Sequence, residues 1–264
     1  MTAYRHCDML HLAQLLAAST CRRKLIVSDT LFSMDGHWAP VPALRRLADQ
    51  HGALLVLDDA HSTLVGPPPQ AGGDEHLWRA HIHVGTLSKA VGALGGFVAC
   101  STAVKVLLIS KARGQVYSTA LPAPVIAAAH AALRVAAAEP QRKAALWARV
   151  QQLQRLTGLP CDSPIVSVLI GDEQKALDAA AALLRKGFHV PAIRPPTVPQ
   201  VCGCALVVSS AHGAHLRPSC APFVQGTARL RVALSAEHSE ADVAALAEAL
   251  RSVGALPVVP VSKI

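Results

Sequence analysis

The chain has 264 residues, 52% of them hydrophobic, with a mean hydropathy of +0.34, which is enough apolar material for one large core or two modest ones and excludes a disordered chain. Lys plus Arg number 25 against 17 Asp plus Glu, a net charge of +8, most of it arginine scattered along the chain. That balance favours anionic small molecules as partners, whereas 3% aromatic residues and no basic stripe argue against nucleic acid.

In chain order, Met1–Leu16 carries charge and histidine where a secretory leader is apolar, and no apolar run is long enough to span a bilayer. Cys7, Cys21, Cys100, Cys161, Cys202, Cys204 and Cys220 form an odd set without a CxxC pair, so free thiols in a reduced, intracellular compartment are expected. Leu25–Ser28, Ala53–Leu57 and Ile82–Thr86 read as buried strands. Between the first two, Val41–Gln50 reads as a helix, with Pro42 near its start and Gly52 after its end. Strand, helix, strand predicts an α/β fold with a mainly parallel sheet. The alanine-rich helix Ala123–Ala138 breaks at Glu139-Pro140, which divides the chain into domains 1–138 and 139–264. The smaller second domain is predicted as α+β: strand Ile165–Ile170, helix Glu173–Lys186, strands Val190–Ile193 and Arg229–Leu234, and helix Glu240–Val253.

Residues 201–225 break this order. Cys202, Cys204, His212, His215 and Cys220 match no common zinc spacing, so the stretch reads as an inserted surface loop. Its terminal residues, Val201 and Gln225, are compatible with the GT and AG codon boundaries of a retained intron.

Two places carry chemistry. The strand Leu54-Leu55-Val56-Leu57 ends in Asp58-Asp59-Ala60-His61, and in open α/β sheets the carboxyl ends of strands face the ligand crevice. The tetrad resembles a helicase box, but that class also needs a GxxxxGK[ST] phosphate loop, and none is present. Lys89 is the one lysine between Lys24 and Lys105, in Thr86-Leu87-Ser88-Lys89. A lysine confined in a partly apolar place loses solvation of its charged form and becomes a nucleophile toward carbonyls. Gly85, Gly92, Gly95 and Gly96 are expected to let backbone approach a flat ring and its phosphate, and Asp58 to keep a ring nitrogen protonated. That combination points to pyridoxal 5'-phosphate.

The segments Asp29-Thr30-Leu31-Phe32-Ser33-Met34-Asp35-Gly36, Asp58-Asp59-Ala60-His61, Thr86-Leu87-Ser88-Lys89 and Tyr117-Ser118-Thr119 resemble, in order and spacing, the α-oxoamine synthases of the fold-type I pyridoxal phosphate enzymes. Ile193-Arg194-Pro195-Pro196-Thr197-Val198-Pro199 and Gly226-Thr227-Ala228-Arg229-Leu230-Arg231 look most like the biotin-pathway branch. The resemblance implies a transferase. It makes Lys89 the catalytic lysine that links to the cofactor and moves the substrate α-proton. Asp58 would pair with the ring nitrogen, His61 and Ser33 lie near the phenolic oxygen, and Thr86 contact the phosphate. Thr119 would reach the phosphate of the neighbouring subunit in a homodimer, and Arg194, with Thr197 nearby, would bind a substrate carboxylate. The implied reaction is a decarboxylative condensation of L-alanine with a pimeloyl thioester on coenzyme A or a carrier protein.

The resemblance further implies an earlier segment, with a glycine-containing turn and a ring-stacking histidine, that nothing before Tyr4 supplies. Chain 1–138 is therefore expected to be a partial cofactor-binding domain with uncovered apolar surface and an unpaired strand edge. Two alternatives stay open: an inactive truncated form that serves as an interaction or regulatory partner, and a sister synthase using glycine or serine. Ser262-Lys263-Ile264 resembles the peroxisomal Ser-Lys-Leu ending, which sets a peroxisomal address beside a cytoplasmic one.

Overall fold

The computed structural model describes residues 2–66, 79–194 and 227–256. Thr197, Gly226, the stretch 201–225 with Cys202, Cys204, His212, His215 and Cys220, and the tail 262–264 lie outside the described residues. The described chain falls into two units. The first comprises residues 2–32, 38–66 and 79–140, and the second 33–37, 141–194 and 227–256.

In the first unit, β1 (Lys24–Asp29), β2 (Ala53–Asp58) and β3 (Ile82–Thr86) run parallel, and β4 (Gly96–Cys100) closes the order β1-β2-β3-β4 antiparallel to β3. The crossover between β1 and β2 is α2 (Val41–Gln50), started by a proline in its first turn, where the missing N–H has no intrahelical partner to lose. Val41, Leu44 and Ala48 form its buried stripe. With Leu12 and Leu16 of α1 (Met9–Ala18) they cover Ile26, Leu55 and Leu57 on one sheet face. Asp8 caps α1 by accepting the His11 N–H at 2.8 Å. On the other face Leu54 keeps 45% exposure. Beyond β4 the chain forms α3 (Thr102–Lys111), α4 (Arg113–Val116) and α5 (Ala123–Ala138). The first two bury no residue and α5 buries Ala129 alone. The β3–β4 hairpin is the antiparallel part of a sheet that is mainly parallel, as expected. Gly96–Cys100 is a strand hidden by the glycines before it.

The second unit holds an antiparallel sheet in the order β5-β7-β6, made of β5 (Ile165–Gly171), β6 (Ala192–Ile193) and β7 (Ala228–Ala233). β6 is shorter than expected: Pro191 has no N–H to donate, and its carbonyl accepts from Arg231 N–H at 3.0 Å. The helices are α6 (Gln141–Thr157), α7 (Glu173–Arg185) and α8 (Glu240–Ser252). Trp147, Val150 and Leu153 of α6, Leu183 of α7 and Val243, Leu246 and Leu250 of α8 are buried, as are Leu230 and Val232 of β7. A capping box between Ser239 and Asp242 starts α8. Among the described residues no helix is long and apolar enough to cross a membrane, and Cys7, Cys21, Cys100 and Cys161 are thiols.

Candidate active site

The parallel register of β1 and β2 brings Asp29 opposite Asp58 at their carboxyl ends. Two backbone bonds extend the ladder past the strands: Thr30 N–H to Asp58 O at 2.9 Å and Asp59 N–H to Val84 O at 2.7 Å. The strand ends are thereby fixed, and the chain turns immediately after them. The Asp58 carboxylate accepts the Ala60 N–H at 2.8 Å, which sets that turn and carries His61 back over the sheet edge. There Lys89 Nζ lies 2.8 Å from His61 Nε2. Asp58 and Lys89 are exposed and His61 is half-buried, so the confined pocket expected around the lysine is not formed by its own loop.

That loop, residues 87–95, is tied across its base by Leu87 N–H to Gly95 O at 2.9 Å and by Ala93 N–H to Leu87 O at 2.7 Å. Gly92 N–H turns back to Lys89 O at 2.9 Å. Thr86 lies at the start of the loop, its hydroxyl 2.8 Å from Ser88 Oγ and 3.3 Å from Gly95 O. Gly85, Gly95 and Gly96 serve this packing, whereas a Cβ on Gly92 would meet open space. A Cβ on Gly85 would sit 2.2 Å from the Phe97 ring, and one on Gly96 would sit 2.9 Å from Gly85 O. Gly95 adopts φ +104°, with the Leu121 side chain where its Cβ would go.

The two neighbouring acids differ sharply. Asp59 accepts from Thr30 Oγ1 at 2.5 Å, from Ser62 Oγ at 3.0 Å and from His83 Nδ1 at 2.7 Å. His83 Nε2 accepts the Ala80 N–H at 2.8 Å, which places the ring proton on Nδ1, facing Asp59. Burial pushes the Asp59 carboxyl up, but the bonds from His83, Thr30 and Ser62 outweigh it and hold the acid below the ordinary carboxylate value. Asp59 thus joins β1, β2 and β3 and has little capacity left for a ligand. Thr30 and His83 were not expected at this site. Their sequence signal is faint: a polar residue on the core-facing parity of an apolar strand.

The other expected site residues are distributed as follows. Thr119 is exposed in the first unit, in the segment between α4 and α5. Ser33 belongs to the second unit, where its carbonyl accepts from Arg231 Nε at 2.6 Å, and Arg229 pairs with Asp35. Arg194 follows β6 in the second unit and is exposed.

Comparison with known proteins gives the arrangement its setting. The aminotransferase class I and II family matches residues 2–250. The chain is 44% identical over 252 residues to 8-amino-7-oxononanoate synthase of Arabidopsis thaliana, covering 94% of this chain and 48% of the relative. It is 47% identical over 263 residues to the enzyme of that name from Anaeromyxobacter dehalogenans, covering 95% and 60%. The chain therefore spans about half to three fifths of the length of these relatives. Among solved structures, a serine palmitoyltransferase from S. paucimobilis with a bound PLP-myriocin aldimine superposes with a TM-score of 0.77 at 27% identity, over 96% of this chain and 61% of that one. An 8-amino-7-oxononanoate synthase from Francisella tularensis gives 0.67 at 22%, over 95% and 66%, a likeness of fold. The helicase-like reading of Asp58–His61 falls with these matches: the chain has the fold-type I architecture and belongs to the aminotransferase class I and II family.

Proposed function

We propose that this chain carries the pyridoxal phosphate site of an 8-amino-7-oxononanoate synthase and takes part in the condensation of L-alanine with a pimeloyl thioester, releasing CO2 and the carrier thiol. The observation that supports this best is the pair Lys89 Nζ and His61 Nε2, 2.8 Å apart at the strand ends beside Asp58. Identity of 40 to 47% to synthases of that name favours this reading over a glycine- or serine-using sister.

The side chains suit the cofactor chemically. Lys89 offers an amine for an aldehyde, and Asp58 is an exposed carboxylate with one backbone bond and spare acceptor capacity. His61 offers an imidazole for a phenolic oxygen, and Thr86 a hydroxyl for a phosphate. When bound, pyridoxal phosphate supplies an aldehyde for covalent linkage to amines and an electron sink for the substrate's α-carbon. Lys89 Nζ would form the link and move the substrate α-proton, with His61 Nε2 orienting it through their hydrogen bond. Asp58 would hold the ring by accepting from its protonated nitrogen. Arg194, whose planar guanidinium donates at two points, is assigned to the pimeloyl carboxylate, with Thr197 nearby. Ser33 is assigned to the phenolic oxygen, and Thr119, in a homodimer, to the partner subunit's phosphate. The net charge of +8 suits an anionic thioester, on coenzyme A or a carrier protein. The cytoplasm is the proposed location.

The test is direct. Purified protein is mixed with pyridoxal phosphate, reduced with borohydride and mapped by peptide mass, and product is assayed from alanine and pimeloyl-CoA. The cofactor should be fixed on Lys89 in the wild type and absent from Lys89→Ala, with turnover falling by roughly a thousandfold or more. Identical spectra from wild type and variant would overturn the site. Cofactor fixed on Lys89 without turnover would overturn the activity while keeping the site.

A further inference from the structure

Asp29 is a half-buried acid of the first unit for which the mechanism above has no task. It ends β1 opposite Asp58, and residues in register on adjacent parallel strands project to the same sheet face, so the two carboxyls stand side by side on strands about 5 Å apart. Among the described residues no hydrogen bond is donated to the Asp29 carboxyl, whereas Asp59 nearby takes three. A structural acid at this strand end therefore looks like Asp59, and Asp29 does not fit that pattern. The charged groups facing Asp29 are Asp58 from β2, Lys89 from the β3–β4 loop and His6 from the N-terminal segment. Burial first, and then the charge of Asp58, push its carboxyl up to about 6, against the pull of Lys89 and His6.

We propose that Asp29 is a positioning residue for Asp58: ionised, it deepens the negative potential at the strand ends and strengthens the hold of Asp58 on a protonated ring nitrogen. When it is protonated, its O–H turns toward Asp58 and that hold weakens. The inference rests on the pyridoxal phosphate reading of the site. It gives the acid pair one proton whose arrival and departure, in the mildly acidic range, sets how firmly the ring is kept in its cationic form.

Two measurements test it. The first uses cofactor-free protein: the Asp29 carboxyl is titrated by carbon-13 NMR in wild type and Asp58→Asn. Removal of the neighbouring charge should lower the Asp29 midpoint from about 6, and an unmoved midpoint overturns the proposal. The second follows the dissociation constant of pyridoxal phosphate, with the nitrogen-15 shift of its ring, between pH 5 and 8. Wild type should tighten by about tenfold more than Asp29→Asn across that range, and Asp29→Glu should restore most of the difference. The cofactor's own titrations cancel in the comparison. An Asp29→Asn profile parallel to wild type overturns the proposal. If instead wild type binds no pyridoxal phosphate while the first measurement shows coupling, the cofactor reading fails, taking the ring-nitrogen role with it, and the acid pair stands.

Discussion

One residue apart at the end of β2, the chain builds two regions of opposite character. Around Asp59, donors from Thr30, Ser62 and His83 converge, and His83 is itself held by the Ala80 N–H. Around Asp58 the carboxylate takes one backbone bond, and Lys89 and His61 stand together at the surface. Alternation along a strand accounts for the difference: Leu57 points into the core and Asp58 away from it, and the chain leaves the strand at Asp59. The satisfied region sets the positions of the strand ends, and the unsatisfied one keeps capacity for a ligand. On the proposed reading of the site, structural and chemical roles are divided between adjacent acids.

The largest effect that can break this division is on stability. Asp59→Ala leaves His83, Thr30 and Ser62 without their acceptor and should cost about 2–4 kcal/mol in urea unfolding. Asp58→Ala loses one exposed turn bond and should cost less than about 1 kcal/mol. Equal losses would mean that the two acids share one role.

The pH dependence of stability sharpens the same contrast, with opposite signs for two acids. Asp59 is held below its ordinary 3.8, so its contribution is present above that value and is lost as pH falls through the lower folded value. Asp29, raised from 3.8 to about 6, contributes fully below 3.8, and that contribution is lost as pH rises through 6. Asp29→Asn should therefore stabilise the protein at pH 7, by about 2 kcal/mol, and change little at pH 3.5. Calorimetry at the two pH values reads the difference. A variant no more stable at pH 7 than wild type would show that the Asp29 carboxyl is well solvated.

Much of this was legible from sequence, for identifiable reasons. Continuous apolar runs located β1, β2 and β3, and Pro42 and Gly52 bounded α2 to the residue. β4 was missed because Gly95-Gly96 reads as loop, whereas Gly95 admits the Leu121 side chain and Gly96 the Gly85 carbonyl. Ser33-Met34-Asp35-Gly36 was recognisable as a motif, but its packing was not. Gly36 has φ +71°, and a Cβ there would meet the Ile165 carbonyl at 1.8 Å. Arg229, the partner of Asp35, is 194 residues away along the chain. Local pattern specifies elements. Pairings over such separations depend on topology, which one strand's composition does not encode.

The smallest expected effect is that of substituting the apolar residues of α3, which lack a core, with a buried leucine of α2 as the reference. Leu44 on α2 is fully buried, while Val106 and Leu107 on α3 are 62% and 57% exposed. Leu44→Ala removes packed methyl groups and leaves a cavity, which should cost about 2–5 kcal/mol. Val106→Lys and Leu107→Lys transfer side chains that already face water and should stay within about 0.5 kcal/mol in urea unfolding of the monomer at low concentration. The same pair of substitutions should raise solubility, because contiguous exposed apolar surface drives association. If either lysine cost as much as Leu44→Ala, α3 would have to be packed in solution against something that shields it. The open character of the region after β4 would then belong to the isolated chain and not to the protein as it works.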